Sequence, residues 1–256
     1  VWGLAGSSME LLKEEGILQT YTHQGVDALR SNLNDPQSSQ AWYGNDAFFN
    51  AVCFNEAVAK QLNLPAPQSW EDLTKPIYKG HIAMPNPASS GTGYMQVSAW
   101  LQNMGEDQAW NYMQKLDKNI AHYTHSGSKP CVQAGMGEVA IGISMASRGA
   151  KLKTQGAPLA VITPAGIGWE SEAVGLVKSS EAAKRVVDWS ISKAANELYI
   201  EMYPVVGHKD VTATVKNFPN VEKNMAKMDF ARMGSERADV LKTWSDKFDA
   251  KSEPKS

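Results

Sequence analysis

An α/β fold is predicted by three features of the sequence. Short apolar runs of strand length alternate with amphipathic helical stretches along the whole chain. Segments rich in hydroxyls and glycine follow strand-like runs and open helices, the usual place for a ligand in such folds. Hydrophobic residues make up 43% and charged residues 20% of the 256 positions, the balance of a folded globular protein.

The chain opens on Val-Trp-Gly-Leu-Ala-Gly-Ser-Ser. That stretch reads as the end of a buried strand followed by a helix over about 7–15. A strand that begins at its own end points to missing sequence upstream. Residues 37–45 are polar without clear periodicity and read as a crossing between lobes, before an apolar strand at 48–54. Further strands are expected at 81–84, 120–123, 139–144, 159–162 and 173–177. Helices are expected at 89–103, 106–116, 129–135, 181–200, 221–228 and 236–248. The helix from Glu181 has Ser179 or Ser180 as its cap, an acidic first turn, and Val187, Ile191 and Leu198 along one face. The last helix places Val240, Trp244 and Phe248 at four-residue spacing. Residues 251–256 read as a solvated tail.

The formal charge of -2 from 25 basic and 27 acidic residues offers no field for nucleic acid. No apolar run reaches membrane-spanning length, and no signal peptide is recognisable in this chain. Cys53 and Cys131 stand in no metal-ligand spacing. They read as buried small apolar side chains in preference to a disulfide, which leaves the redox compartment open.

Ser89-Ser90-Gly91-Thr92 follows a strand and opens a helix. Unpaired N–H groups, the positive end of the helix dipole and three hydroxyls together suit an oxyanion. Taken alone, the segment reads slightly better as an ordinary cap with a flexible turn. Thr124-His125-Ser126-Gly127-Ser128-Lys129-Pro130 repeats the arrangement, with Pro130 suited to a first turn. Two such mouths suggest convergence on one anion. Ser126-x-x-Lys129 matches a β-lactamase pattern without its companion motifs, and Gly142-Ile143-Ser144-Met145-Ala146 approaches a nucleophile elbow without the final glycine or evident acid and histidine partners. A serine hydrolase using Ser144 therefore remains the alternative of another class. At Trp169-Glu170 and Trp42-Tyr43, aromatic rings beside acids could hold a cation. The histidines form no metal set, and only His125 lies where a ligand role is plausible.

The chain resembles the periplasmic solute-binding proteins of ABC importers, in the class that includes the ferric-ion-binding proteins. The phrases that carry the resemblance are Trp70-Glu71-Asp72-Leu73, Tyr78-Lys79-Gly80-His81-Ile82-Ala83-Met84-Pro85-Asn86-Pro87, the Ser-Ser-Gly-Thr-Gly-Tyr cluster, Gly137 to Gly142 and Glu172 to Ser180. Within that class it is most similar to the 2-aminoethylphosphonate-binding proteins.

The resemblance implies a two-lobed type II periplasmic binding fold with a hinge. It places lobe one at 1–49 plus 168–202, with its N-terminal part missing, and lobe two at 50–167 plus 203–256. It implies a monomeric, non-enzymatic periplasmic receptor that closes on its ligand and delivers it to a membrane permease, with no cofactor. The iron carriers place two tyrosines where this chain has Ser144-Met145, which argues against ferric ion. Ser89, Ser90, Thr92, Ser128 and Ser144 are expected to hold a phosphonate, and Tyr43, Trp169 and Glu170 an ammonium group. Another phosphorylated small molecule, or ferric ion, is the alternative ligand.

Overall fold

The computed structural model describes residues 1–254. The chain divides into two compact units: Val1–Phe48, Glu170–Val215 and Asp229–Arg237 form the first, while Phe49–Trp169, Lys216–Met228 and the chain from Ala238 onward form the second. Strand β1 (Trp2–Ala5) leads into helix α1 (Gly6–Glu14). The long strand β2 (Trp42–Asn55) runs from the first unit into the second.

The second unit continues with α2 (Glu56–Leu62), β3 (Ile82–Pro85), α3 (Gly91–Met104), α4 (Glu106–Asp117), β4 (Ile120–Thr124), α5 (Lys129–Met136), β5 (Ile141–Met145), α6 (Ala146–Thr154) and β6 (Leu159–Ile162). Strand β7 (Trp169–Gly175) then returns to the first unit, followed by α7 (Glu181–Ser190), α8 (Lys193–Tyr199) and α9 (Phe230–Ser235). Helix α10 (Arg237–Phe248) closes the second unit. Among the described residues no helix is long and apolar enough to cross a membrane.

In the first unit β1 pairs antiparallel with β7, Leu4 opposite Ala173 and Ala5 opposite Glu172. The core on this sheet is Leu29, Tyr43, Val174, Leu176, Val187 and Ile191. In the second unit β2 runs antiparallel to β5 and to β6, while β3 lies parallel to both β4 and β5. Three parallel strands, each followed by a helix, bring the segments after β3, β4 and β5 to one end of the sheet. Such carboxyl ends are where open α/β sheets place ligands.

Several sequence expectations change. The polar crossing at 37–45 is instead the start of β2 from Trp42, and Trp42, Asn45 and Asp46 are all buried. Its polarity hides a strand because the surrounding unit, not an apolar alternation, covers it. The opening strand is half-exposed rather than buried, with Val1 and Trp2 open to solvent. The helix expected at 181–200 breaks at Ile191–Ser192. Ser192 starts a new helix by accepting from Ala195 N–H at 3.2 Å, while its own hydroxyl donates to Trp189 O at 2.6 Å. Ser180 caps α7 as expected, through Ala183 N–H at 3.1 Å. Residues 221–228 hold only a short 3-10 turn, Glu222–Asn224, and the helices α2, α6 and α9 had no expectation.

Residues 203–215 and 229–237 pack with the first unit, not the second. Ala47 N–H donates to Val205 O at 2.9 Å and Gly207 N–H to Asn45 O at 2.7 Å. Cys53 and Cys131 are not free apolar side chains: they form a disulfide across a 5.3 Å Cα separation. It joins β2 to the first turn of α5, a proximity that a separation of 78 positions could not reveal. Lys251 to Glu253 are no free tail either. A 3-10 turn at Asp249–Lys251 docks through Lys251 on Asp117, and Glu253 N–H donates to Tyr123 O at 2.9 Å. Residues 255 and 256 lie outside the described residues.

Candidate functional site

Helix α3 starts at Gly91 with Ser90 as its N-cap, yet the Ser90 side chain makes no capping bond. Helix α5 starts at Lys129 with Ser128 at the same place, again without a side-chain cap, and with proline in its first turn. The hydroxyls usual for capping are thus not spent on the helices, and the first amides of each have no intrahelical acceptor.

Gly127 lets these two segments meet. A Cβ there would lie 2.3 Å from Thr92 Oγ1 and 2.9 Å from Ser90 Oγ, so any larger residue would force them apart. Three hydrogen bonds and a disulfide fix the approach. Ser144, at the end of β5, donates its hydroxyl to Gly127 O at 2.5 Å. Asn50 on β2 donates to Thr92 O at 3.1 Å and to Ser144 O at 3.4 Å. The disulfide holds the first turn of α5 against β2.

Ser89, Ser90, Thr92, Ser128 and Ser144 all therefore gather at one end of the second unit. Ser89 is exposed, Ser90 and Thr92 are buried near the surface, and Ser144 is fully buried. The Ser144 hydroxyl gives its hydrogen to a carbonyl, so its observed part is to hold the loop at Gly127.

His125 joins the same cluster. Its Nδ1 lies 2.7 Å from Ser89 Oγ and its Nε2 2.8 Å from the Glu253 carbonyl oxygen. The Glu253 carboxylate accepts from His125 N–H at 2.8 Å and from the Lys129 ammonium. Burial works against ionisation of Glu253, but the Lys129 and His125 bonds more than offset it and hold its carboxyl below the usual range.

Asn50, Gly127 and Glu253 were not foreseen. Gly127 carried a signal in its place between two serines, whereas Asn50 and Glu253 are far from the cluster in sequence.

The residues expected to hold a cation have their polar atoms engaged within their own units. Glu170, in the first unit and buried, accepts from Ser7 N–H at 3.1 Å and from the Ser7 hydroxyl at 2.6 Å. It supplies the anion at the start of α1, whose own N-cap, Ala5, has no capping side chain. Burial raises its carboxyl above the usual range, against the Ser7 bonds and the charge of Arg237. Tyr43 sits in the first unit's core, where its hydroxyl donates to Tyr21 O at 2.5 Å and accepts from His23 N–H at 3.2 Å. Trp169, in the second unit, donates from Nε1 to Ala226 O at 2.9 Å. Among the described residues no group of three or more His, Cys, Asp or Glu side chains is placed to hold a metal ion.

The sequence is 31% identical over 192 residues to a Haemophilus influenzae protein, a match covering 72% of this chain and 56% of that one. The chain thus spans about half the length of this curated relative. The fold superimposes on the periplasmic binding protein AfuA from Actinobacillus pleuropneumoniae, whose structure contains exogenous fructose-6-phosphate. The TM-score is 0.85 at 27% identity, covering 97% of this chain and 82% of that one. The ferric binding protein from Campylobacter jejuni shares the fold at 17% identity, with a TM-score of 0.76 over 94% of this chain and 80% of that one. This mixed α/β fold matches the two-lobed periplasmic binding proteins. With residues 4–228 matching the pattern of the bacterial extracellular solute-binding proteins, the chain belongs to that family.

Proposed function

We propose that this chain belongs to the periplasmic solute receptor of an ABC importer, which binds a small molecule through a phosphonate or phosphate group and passes it to a membrane permease. The observation that carries the proposal is the meeting of the two serine-rich helix starts across Gly127. An oxyanion there would receive hydrogen bonds from Ser90, Thr92 and Ser128 and from helix-start amides, with Ser89, which meets His125, at its edge. At about 1.5–3 kcal/mol for each charge-assisted bond, a handful gives micromolar binding after ordering costs.

Within this class we propose 2-aminoethylphosphonate as the ligand, on the sequence resemblance. A sugar phosphate is the second reading, favoured by two observations. AfuA, the similar protein above, holds fructose-6-phosphate, and the carboxylate of Glu170 is occupied by Ser7. A hydrolase using Ser144 finds no support in a hydroxyl that is fully buried and bonded to a carbonyl.

Calorimetric titration with 2-aminoethylphosphonate, ethylphosphonate, inorganic phosphate and fructose 6-phosphate tests the reading. Preferential binding of 2-aminoethylphosphonate is expected. Tight binding of fructose 6-phosphate alone transfers the proposal to sugar phosphates, and binding of none of the four overturns it.

A further inference from the structure

We infer that His125 decides whether Ser89 meets a ligand anion as a hydrogen-bond donor or as an acceptor, so that anion binding strengthens in acid. The inference rests on the anion site proposed above. A backbone carbonyl oxygen can only accept, so the 2.8 Å contact from Nε2 to the Glu253 carbonyl requires the hydrogen on Nε2. A neutral ring then has only a lone pair at Nδ1. Ser89 Oγ, 2.7 Å away, must donate to it. Its single hydrogen is turned into the protein, and an approaching oxyanion meets oxygen lone pairs.

Uptake of one proton from solvent at Nδ1 reverses the bond. Nδ1–H now donates to Ser89 Oγ, and the serine hydrogen is released to donate to the ligand. The charged ring adds attraction to the anion. The charged groups facing the ring are the Glu253 carboxylate on the C-terminal segment, bonded to the His125 amide, and the Lys129 ammonium of α5, bonded to that carboxylate. On the same segment Asp249 is engaged by Asn86 at 3.0 Å, just before Ser89. These partners keep the ring in place in both states, so protonation changes the sense of the Ser89 bond without needing the loop to move.

Affinity for fructose 6-phosphate and for 2-aminoethylphosphonate, measured at about pH 5.5 and about pH 8, where an imidazole changes charge, tests this in the unaltered chain, His125→Gln and Ser89→Ala. The second ionisation of such ligands falls in the same range but is common to all three proteins and cancels in their ratios. The unaltered chain is expected to gain about tenfold more affinity in acid than either variant, the worth of one charge-assisted bond. An equal pH response in His125→Gln, or in Ser89→Ala, overturns the inference. If the unaltered chain binds neither probe, the anion-site reading fails, and the tautomer is then judged alone. Imidazole nitrogen–proton correlation spectra at about pH 8 should place the hydrogen on Nε2, and a hydrogen on Nδ1 overturns the inference whatever the ligand.

Discussion

The end of the second unit's sheet and the carboxylates of the first unit use polar residues in opposite ways. Around Gly127 the serines at the two helix starts make no capping bonds, and Ser89, whose hydroxyl meets His125 Nδ1, is exposed. In the first unit Glu170 is bonded twice to Ser7, and Asp35 accepts from Lys13, Gln37 and Ala41. Spare hydrogen-bonding capacity close to solvent can be spent on a ligand, whereas capacity already satisfied in the interior stabilises the fold. A sequence lists both kinds of residue alike.

The sharpest test of the contrast is Gly127→Val. Its branched side chain would enter the space held by Thr92 and Ser90. The affinity for whichever probe binds should fall by about a hundredfold or more, as misplacing several donors at once removes more than one charge-assisted bond. Near-normal affinity would mean that the two segments do not act together.

Ser7→Ala comes next and probes the other side. It removes the hydroxyl bond to a buried carboxylate and should cost about 2 kcal/mol of stability, measured by urea denaturation, while leaving affinity unchanged. The pH dependence has a definite sign. Burial raises the Glu170 carboxyl above its unfolded value, so its contribution is present in acid and lost as pH rises. The variant raises it further, and the deficit should widen toward alkaline pH. Lost affinity with unchanged stability would return Glu170 to the ligand.

The smallest effect is expected for Asp46→Asn. Burial first, and the charge of Glu172 second, push the Asp46 carboxyl well above the usual range. Its ionised form therefore costs stability at neutral pH. The amide should raise stability by about 1 kcal/mol near pH 7.5, the gain fading in acid where the carboxyl is already protonated. A loss at neutral pH would show that the charge has a partner and is used.

How much could be read beforehand follows the same division. Helix α7 was legible because its cap and acidic first turn are local features, and Ser180 caps it as read, whereas Leu198, read as part of the same apolar face, lies exposed on α8. The strand Leu159–Ile162 was legible as a short apolar run between turn residues. The start of β2 was not: Trp-Tyr-Gly-Asn-Asp reads as part of a polar crossing between lobes, and only the unit packed around it buries Asn45 and Asp46. The serine-rich helix starts stood out by composition, but Tyr43 and Glu170 looked equally available until their partners Tyr21 and Ser7 were placed.

The sequence by itself determined the alternation of strands and helices, the cap at Ser180, and the presence of two hydroxyl-rich helix starts, because each depends on residues within a turn or two of one another. Tertiary structure alone decided that Gly127 joins those starts, that Cys53 reaches Cys131, that Glu253 returns to His125 and that Glu170 turns inward to Ser7. These are encounters between residues from 35 to 163 positions apart. Such encounters depend on how whole elements pack, which no local pattern of residues records.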